Sequence, residues 1–272
     1  MTTTDTQDQP ALGAFGIFDI LGFRHRLKSM PLTALRDRVV GALVSAAHSA
    51  EQIVNRDLSR ASFSAMEKLR WACFSDTVIL WLPTGKRTPS DTVESLVYTS
   101  QLLLARTMWL KVPLRGAIAY GECVVSQDPV YYLGKPVLEA YDMEKAQEWA
   151  GAVLAQSASG QLDSGCSRTV TYDVPTKTGM QSLRAVDWPF CSDGPRCKRF
   201  NGTSEAPGPS PDWSACFNNS GEHGVLEKKE ATRTFFEVRD KAASGGGVIF
   251  GEDSGDISSW RDIYNGYNPT KL

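Results

Sequence analysis

The chain has almost no charge of either sign to spare: across its 272 residues, 29 Lys and Arg stand against 31 Asp and Glu, a formal net charge of −2. Without a basic excess there is no electrostatic case for nucleic acid or for an acidic membrane face, so any anionic partner must be held by local groups. No apolar run approaches the roughly 20 residues of a membrane span. The opening MTTTDTQDQP lacks the basic start and apolar run of a signal peptide. The six cysteines, Cys73, Cys123, Cys166, Cys191, Cys197 and Cys216, follow no tight spacing, and 42% hydrophobic content removes the need for disulfide staples. A soluble protein of a reducing cytoplasm is the expectation. No internal repeat is present, and SGGG at 244–247 lacks the lysine and Ser/Thr of a P-loop.

What is present is enough apolar sequence for one large domain with an extension. The expected division is a polar tail over 1–11, a domain over 12–189 and an extension over 190–272. ALGAFGIFDI reads as a strand that ends near Gly22. Leu35, Val39, Leu43, Ala46, Ala50 and Ile53 recur at three- and four-residue spacings, one face of a helix from about Leu32 to Leu58, with Pro31 suited to its first turn. KLRWACF and TVILWL are β-branched or aromatic runs joined by a tight turn at Ser75 and Asp76. A helix follows to about Leu110 with Asp91 as its N-cap, and PLRGAIAYGECVV reads as strand, turn and strand. GKPVLEAYDMEKAQEWAG reads as a helix ended by Gly151, and AVLA as a short strand.

This β, α, β, β, α, β order is that of an α+β fold, a ferredoxin-like antiparallel sheet with helices on one face. Beyond it, TVTYDVP and SLRAVDWP suggest strands, the Pro, Gly and Ser-rich stretch over 190–223 reads as irregular, and VLEKKEATRTFFEVRD reads as a helix. Trp260, Tyr264 and Tyr267 suggest that part of the last segment docks on the domain or on a second copy.

The stretch FGIFDILGF places a single acid, Asp19, at the end of an apolar strand. A buried, unpaired carboxylate costs several kcal/mol, so such an acid is a surface residue, a cap, or half of a site that a cation completes. In this topology the first strand lies beside the hairpin that carries Asp76, so the two acids can converge. With a backbone carbonyl they would make a hard oxygen site for Mg2+ or Mn2+. Backbone N–H groups of the turn after Asp19 would then cradle a triphosphate. Turn chemistry alone equally explains Asp76, and capping explains Asp19.

FGIFDILGF resembles the first metal-binding motif of the class III nucleotide cyclases. WACFSDTVIL resembles their second metal-binding hairpin, PLRGAIAYGE their arginine-bearing strand, and YYLGKPVLEAYDMEKAQEWAGAVLA the loop, helix and strand that follow. The resemblance runs in unbroken order over roughly residues 12 to 156. It implies a homodimer with composite active sites that convert a nucleoside triphosphate to its 3',5'-cyclic monophosphate and pyrophosphate. Two divalent cations, Mn2+ or Mg2+, would be held by Asp19, Asp76 and the Ile20 carbonyl. Phe18, Ile20, Leu21, Gly22 and Phe23 would border the substrate, and Arg115 would lie near phosphate or in the dimer contact. The alternative for Arg115 is a surface arginine at a strand end.

The base-reading positions depart from the family's purine patterns. Ala72 and Tyr131 replace the lysine and aspartate of adenylyl cyclases and the glutamate and cysteine of guanylyl cyclases. Arg70, two residues from Ala72, offers donors to a base carbonyl, and Tyr131 offers a stacking or hydrogen-bonding partner. This pocket, with TYDVP and AVDWP beyond the core, looks like that of the pyrimidine cyclases of bacterial Pycsar antiphage systems. The implied substrate is UTP, and the implied product, cyclic UMP, would be read by a separate effector. CTP, a purine triphosphate, or an inactive pseudo-cyclase are the alternatives. Leu138 and Asp142 stand where the family has an asparagine and an arginine, and Lys145 or Arg115 are the available substitutes. A diguanylate cyclase is disfavoured because no GGDEF-like run occurs. Cys191, Cys197, Cys216 and His223 match no usual zinc spacing, and His25 and His48 read as packing or surface residues.

Overall fold

The apolar run that opens at Ala11 is extended as far as Ile20 (β1), and this strand is the centre of the fold. The computed structural model describes residues 9–60, 67–127, 130–163, 165–188 and 225–245. In it β1 pairs antiparallel with Thr77–Pro83 (β3) on one side and with Leu114–Gln127 (β4) on the other. Arg70–Phe74 (β2) completes the hairpin with β3. Beyond β4 lie Gly151–Leu154 (β6), Gly179–Val186 (β8) and Thr169–Thr176 (β7), while Val130–Gly134 (β5) pairs with β4 off the main path. The order β2-β3-β1-β4 is the expected ferredoxin-like core, and the fold is α+β. The β4–β6 pair is parallel, so the full sheet is mixed.

Helices cover both faces, not the one expected, because β1 is apolar on both. Phe18 is fully buried, and a Cβ on Gly116, its cross-strand partner, would collide with its ring, so only glycine fits there. Gly16, on the same face as Phe18, lies against Leu96 of Pro89–Trp109 (α4). Leu32–Leu35 (α2) passes through a π-helical turn, Arg36–Val40, into Gly41–Arg60 (α3), and the whole predicted stripe from Leu35 to Ile53 is buried. Lys135–Ala146 (α5) lies on the opposite face, where its side chains meet those of Asp19 and Arg115.

Several local expectations are corrected. A short helix, Phe23–Ser29 (α1), precedes α2. Thr88, in extended backbone before Pro89, caps α4: its Oγ1 accepts from the Asp91 N–H at 3.1 Å and donates to Asp91 Oδ2 at 2.7 Å. Asp91 is thus the third residue of a reciprocal cap and not the cap itself. β4 runs unbroken through Gly121, and its hairpin partner is β5. α5 stops at Ala146 because Gln147 turns extended and its backbone bridges to Thr176, so Gly151 opens β6 and does not end the helix. A further short helix is Gln156–Ser159 (α6).

Val225–Gly245 (α7) packs across the far part of the sheet. Its Phe235 is fully buried, 4.8 Å from the Trp149 ring and 5.1 Å from that of Tyr172. The Tyr172 hydroxyl donates to the Ala231 carbonyl at 2.7 Å, and Thr232 Oγ1 accepts from the Ala150 N–H at 3.0 Å. The segment over 190–223 with Cys191, Cys197, Cys216 and His223, and the aromatic residues Trp260, Tyr264 and Tyr267, lie outside the described residues. Among the described residues no helix is long and apolar enough to cross a membrane.

Truncating a large aromatic in such a cluster costs about 3–5 kcal/mol. Phe235→Ala should therefore lower the unfolding free energy by that order in urea melts. A loss under about 1 kcal/mol would show that α7 is not anchored there.

Candidate active site

The antiparallel register places Thr77 opposite Asp19, so Asp76, one residue earlier at the hairpin tip, stands beside the end of β1. Ser75 holds that tip in the left-handed region with φ 58°. Two backbone bonds fix the approach: the Ile20 N–H donates to the Asp76 carbonyl at 3.1 Å and the Leu21 N–H to the Pro113 carbonyl at 2.9 Å. The two acids therefore converge, as the topology required.

Asp19 is held on both oxygens. Thr77 Oγ1 donates to Oδ1 at 3.1 Å and Lys145 Nζ to Oδ2 at 3.3 Å. Burial pushes the Asp19 carboxyl above its ordinary value, the Asp76 and Glu144 charges push the same way, and Lys145 only partly opposes them. Burial alone would lower the Lys145 ammonium, but Asp19 and Glu144 outweigh it and the net shift is upward. Asp76 also adds to the burial that raises the neighbouring Cys73 thiol.

Arg115 is directly opposite Asp19 in register yet turns away from it. Its Nε and Nη2 each lie 2.7 Å from Glu144 Oε1, and Nη1 donates to the Gln147 carbonyl at 2.8 Å. With 10% of its side chain exposed and 1% of that of Glu144, this is a buried ion pair with all three guanidinium nitrogens engaged. The expectations of a phosphate contact, a dimer contact or a surface arginine are corrected accordingly. The sequence held no local sign of this, since the partner acid lies on α5.

The other predicted residues divide by face. Phe18 points into the opposite layer, so its side chain borders no substrate, and Ile20 is buried with its backbone at the site. Leu21 and Phe23 are half-buried, and Gly22, at φ 74° with open space around it, makes the turn into α1. α1 has no side-chain N-cap, and the first N–H groups of any helix lack intrahelical partners. Arg70 and Ala72 lie on the same sheet face as Asp19, because Arg70 pairs with Trp81 and Trp81 with Phe15.

Tyr131 does not join them. It is exposed and alternates with Tyr132, whose half-buried ring stands edge-on to Phe15 at 5.8 Å. Burial raises the Tyr132 hydroxyl and the charge of Arg70 tempers that rise, which puts these two side chains in electrostatic reach of each other. Tyr132 was missed by the sequence reading, as were Thr77, Glu144 and Gln147. Counting strand alternation back from Gly134 is the signal that would have favoured Tyr132.

Leu138 and Asp142 are both exposed on α5. His48 sits at the surface, with Nε2 2.7 Å from Gln52 Nε2. No cluster of three or more His, Cys, Asp or Glu side chains that could hold a metal occurs among the described residues. A divalent cation would rest on Asp19, Asp76 and backbone or substrate oxygens. The donor set is hard and anionic, it carries one carboxyl raised by burial and by a neighbouring acid, and an ammonium already rests on it, so it fits a divalent cation.

No protein-family model matches the chain, and no curated protein does. Among solved structures it is similar to the guanylyl cyclase domain of the RhoGC fusion protein from the aquatic fungus Blastocladiella emersonii, with 13% identity and a TM-score of 0.46 over 66% of this chain and 98% of that one. It is also similar to the catalytic core of a rhodopsin-guanylyl cyclase with converted specificity, with 11% identity and a TM-score of 0.44 over 65% and 97%. Adenylate cyclases from Trypanosoma brucei give 10% identity and a TM-score of 0.37 over 69% and 93%. The likeness is remote, and nothing about this chain's site follows from it.

Removing Arg115 alone leaves Glu144 buried without its main partner, which costs about 3–5 kcal/mol, whereas replacing both members with apolar residues is close to neutral. Arg115→Met should therefore be strongly destabilised in denaturant melts, and Arg115→Met with Glu144→Leu should recover most of the loss. Asp19 tests the site's own strain. Its folded-state pKa is raised, so the neutral form is favoured by the fold, and that stability is lost as pH rises through the folded value. Asp19→Asn, neutral at every pH, should raise the melting temperature at pH 7 and flatten the fall in stability above the ordinary carboxylate range.

Proposed function

We propose that the chain is a nucleotide cyclase of the class III kind that converts UTP to 3',5'-cyclic UMP and pyrophosphate. The observation that carries this reading is the convergence of Asp19 and Asp76 at the ends of adjacent antiparallel strands, with the Asp19 carboxyl raised by burial and by its neighbour. The order of motifs along the first 156 residues and the altered base positions supply the rest.

Asp19, Asp76 and the Ile20 carbonyl would hold two divalent cations, Mn2+ or Mg2+. When bound, these supply charge neutralisation for the triphosphate and acidify the ribose 3'-hydroxyl. The 3'-oxygen forms a bond to the α-phosphorus, the bond from that phosphorus to the bridging oxygen of the β-phosphate breaks, pyrophosphate leaves, and the 3' proton passes to solvent. The Gly22 turn, which follows Asp19 closely, would bring backbone N–H groups toward phosphate oxygens. Arg70 offers donors to a uracil carbonyl, and Tyr132, on the same face, takes the role first assigned to Tyr131.

The active enzyme is a cytoplasmic homodimer with composite sites, and its product signals to an effector in antiphage defence. A second reading, a pseudo-cyclase that kept the fold without chemistry, is favoured by the exposed Leu138 and Asp142.

The test is incubation of the purified chain with each of the four ribonucleoside triphosphates in Mn2+, with separation of cyclic products. UTP should be converted, Asp76→Ala should lose activity by at least about 100-fold while remaining folded, and Tyr132→Ala should alter the ranking of nucleotides more than Tyr131→Ala does. CTP or a purine as the preferred substrate would replace the uracil assignment, and no product from any of the four would favour the pseudo-cyclase.

A further inference from the structure

The cation nearest Asp19 is a side chain. Lys145 Nζ lies 3.3 Å from Asp19 Oδ2 and 3.3 Å from Glu144 Oε2, so one ammonium bridges a site acid and a buried structural acid. Thr77 donates to Oδ1 and Lys145 to Oδ2, so each Asp19 oxygen carries one partner and keeps one acceptor site for a ligand. A divalent cation reaching either oxygen meets the Lys145 charge a few ångströms away, and the two repel each other.

The surroundings show where the displaced ammonium goes. Glu144 Oε2 is buried and faces Lys145 at 3.3 Å, so it attracts the ammonium at close range. The Lys145 side chain is 42% exposed, and in this same position its Nζ lies 5.8 Å from the centroid of the exposed Tyr141 ring. Arg115 cannot play this part, since its three nitrogens are engaged by Glu144 and Gln147.

We propose that Lys145 is a resident counter-cation of the site: it competes with divalent cation for Asp19, and once displaced it stays on Glu144 within reach of the substrate's phosphate oxygens. The first half concerns this chain and a metal alone. The second rests on the cyclase reading, in which the pyrophosphate that leaves carries negative charge that a mobile ammonium neutralises. An ammonium is suited to the task, being a compact charge on a flexible stem.

The experiment is calorimetric titration of the full chain with Mn2+ in the absence of nucleotide, comparing the unaltered protein with Lys145→Gln and Lys145→Arg. Removing a positive charge in contact with the ligand carboxylate should tighten Mn2+ about tenfold in Lys145→Gln, while Lys145→Arg, which keeps the charge, should stay near the unaltered value. Equal Mn2+ affinity for the unaltered chain and Lys145→Gln would overturn the counter-cation. With UTP at saturating Mn2+, Lys145→Gln should lower kcat about 100-fold despite binding metal more tightly, and a kcat within about twofold would overturn the role toward phosphate. If the unaltered chain itself turns over no nucleotide, the cyclase reading and the phosphate role fall together, and the Mn2+ comparison still decides the first half.

Discussion

Arg115 and Glu144 form the contact on which the geometry of the site depends. Two charges have been taken almost wholly out of water, which is tolerable only if each keeps its partner and its hydrogen bonds. The pair ties the start of β4 to the last turn of α5, and Gln147 completes the junction. Its side-chain amide donates to the Gly116 and Met143 carbonyls at 2.9 and 2.8 Å, while its side-chain oxygen accepts from the Trp149 indole at 2.8 Å. With that end of α5 fixed in position and rotation, the next residue along from Glu144 is brought beside Asp19.

The two faces of β1 divide the labour. Ala14, Gly16, Phe18 and Ile20 belong to a tightly packed layer whose tolerance is so small that Gly116 admits no side chain. The alternate residues Phe15, Ile17 and Asp19 open toward α5 and the β5 ribbon, where Tyr132 and Lys145 arrive. A rigid back layer lets the front hold carboxylates in mutual repulsion without the strand giving way. Stored electrostatic cost of this kind is common where charge must be available for a ligand.

Most of the framework was legible because it rests on local pattern. The alternation in β1, the paired runs around Ser75 and Asp76, and the stripe from Leu35 to Ile53 each state their own burial, and the structure follows them. What escaped depends on partners distant in sequence or on single-residue parity. Thr88 took the cap from Asp91 because both are capable, and only the backbone at Pro89 decides between them. Arg115 looked free because Glu144 is on another element, and Tyr131 was matched to a base-reading position by motif spacing, which does not report which way a strand residue faces. The acids Asp19 and Asp76 were legible since chain order alone brings a first strand beside a following hairpin.

The seat of Phe235 on Trp149 and Tyr172 sets an order of events during synthesis. Every residue of the candidate site, from Asp19 to Lys145, leaves the ribosome well before Phe235 does, and so does the rest of the eight-stranded sheet. Until that helix arrives, the nascent sheet presents two large uncovered rings next to the very junction that orients α5, a surface of the kind chaperones engage. A ribosome stalled between the last strand and α7 would thus display the site's residues on a chain that cannot yet close its core.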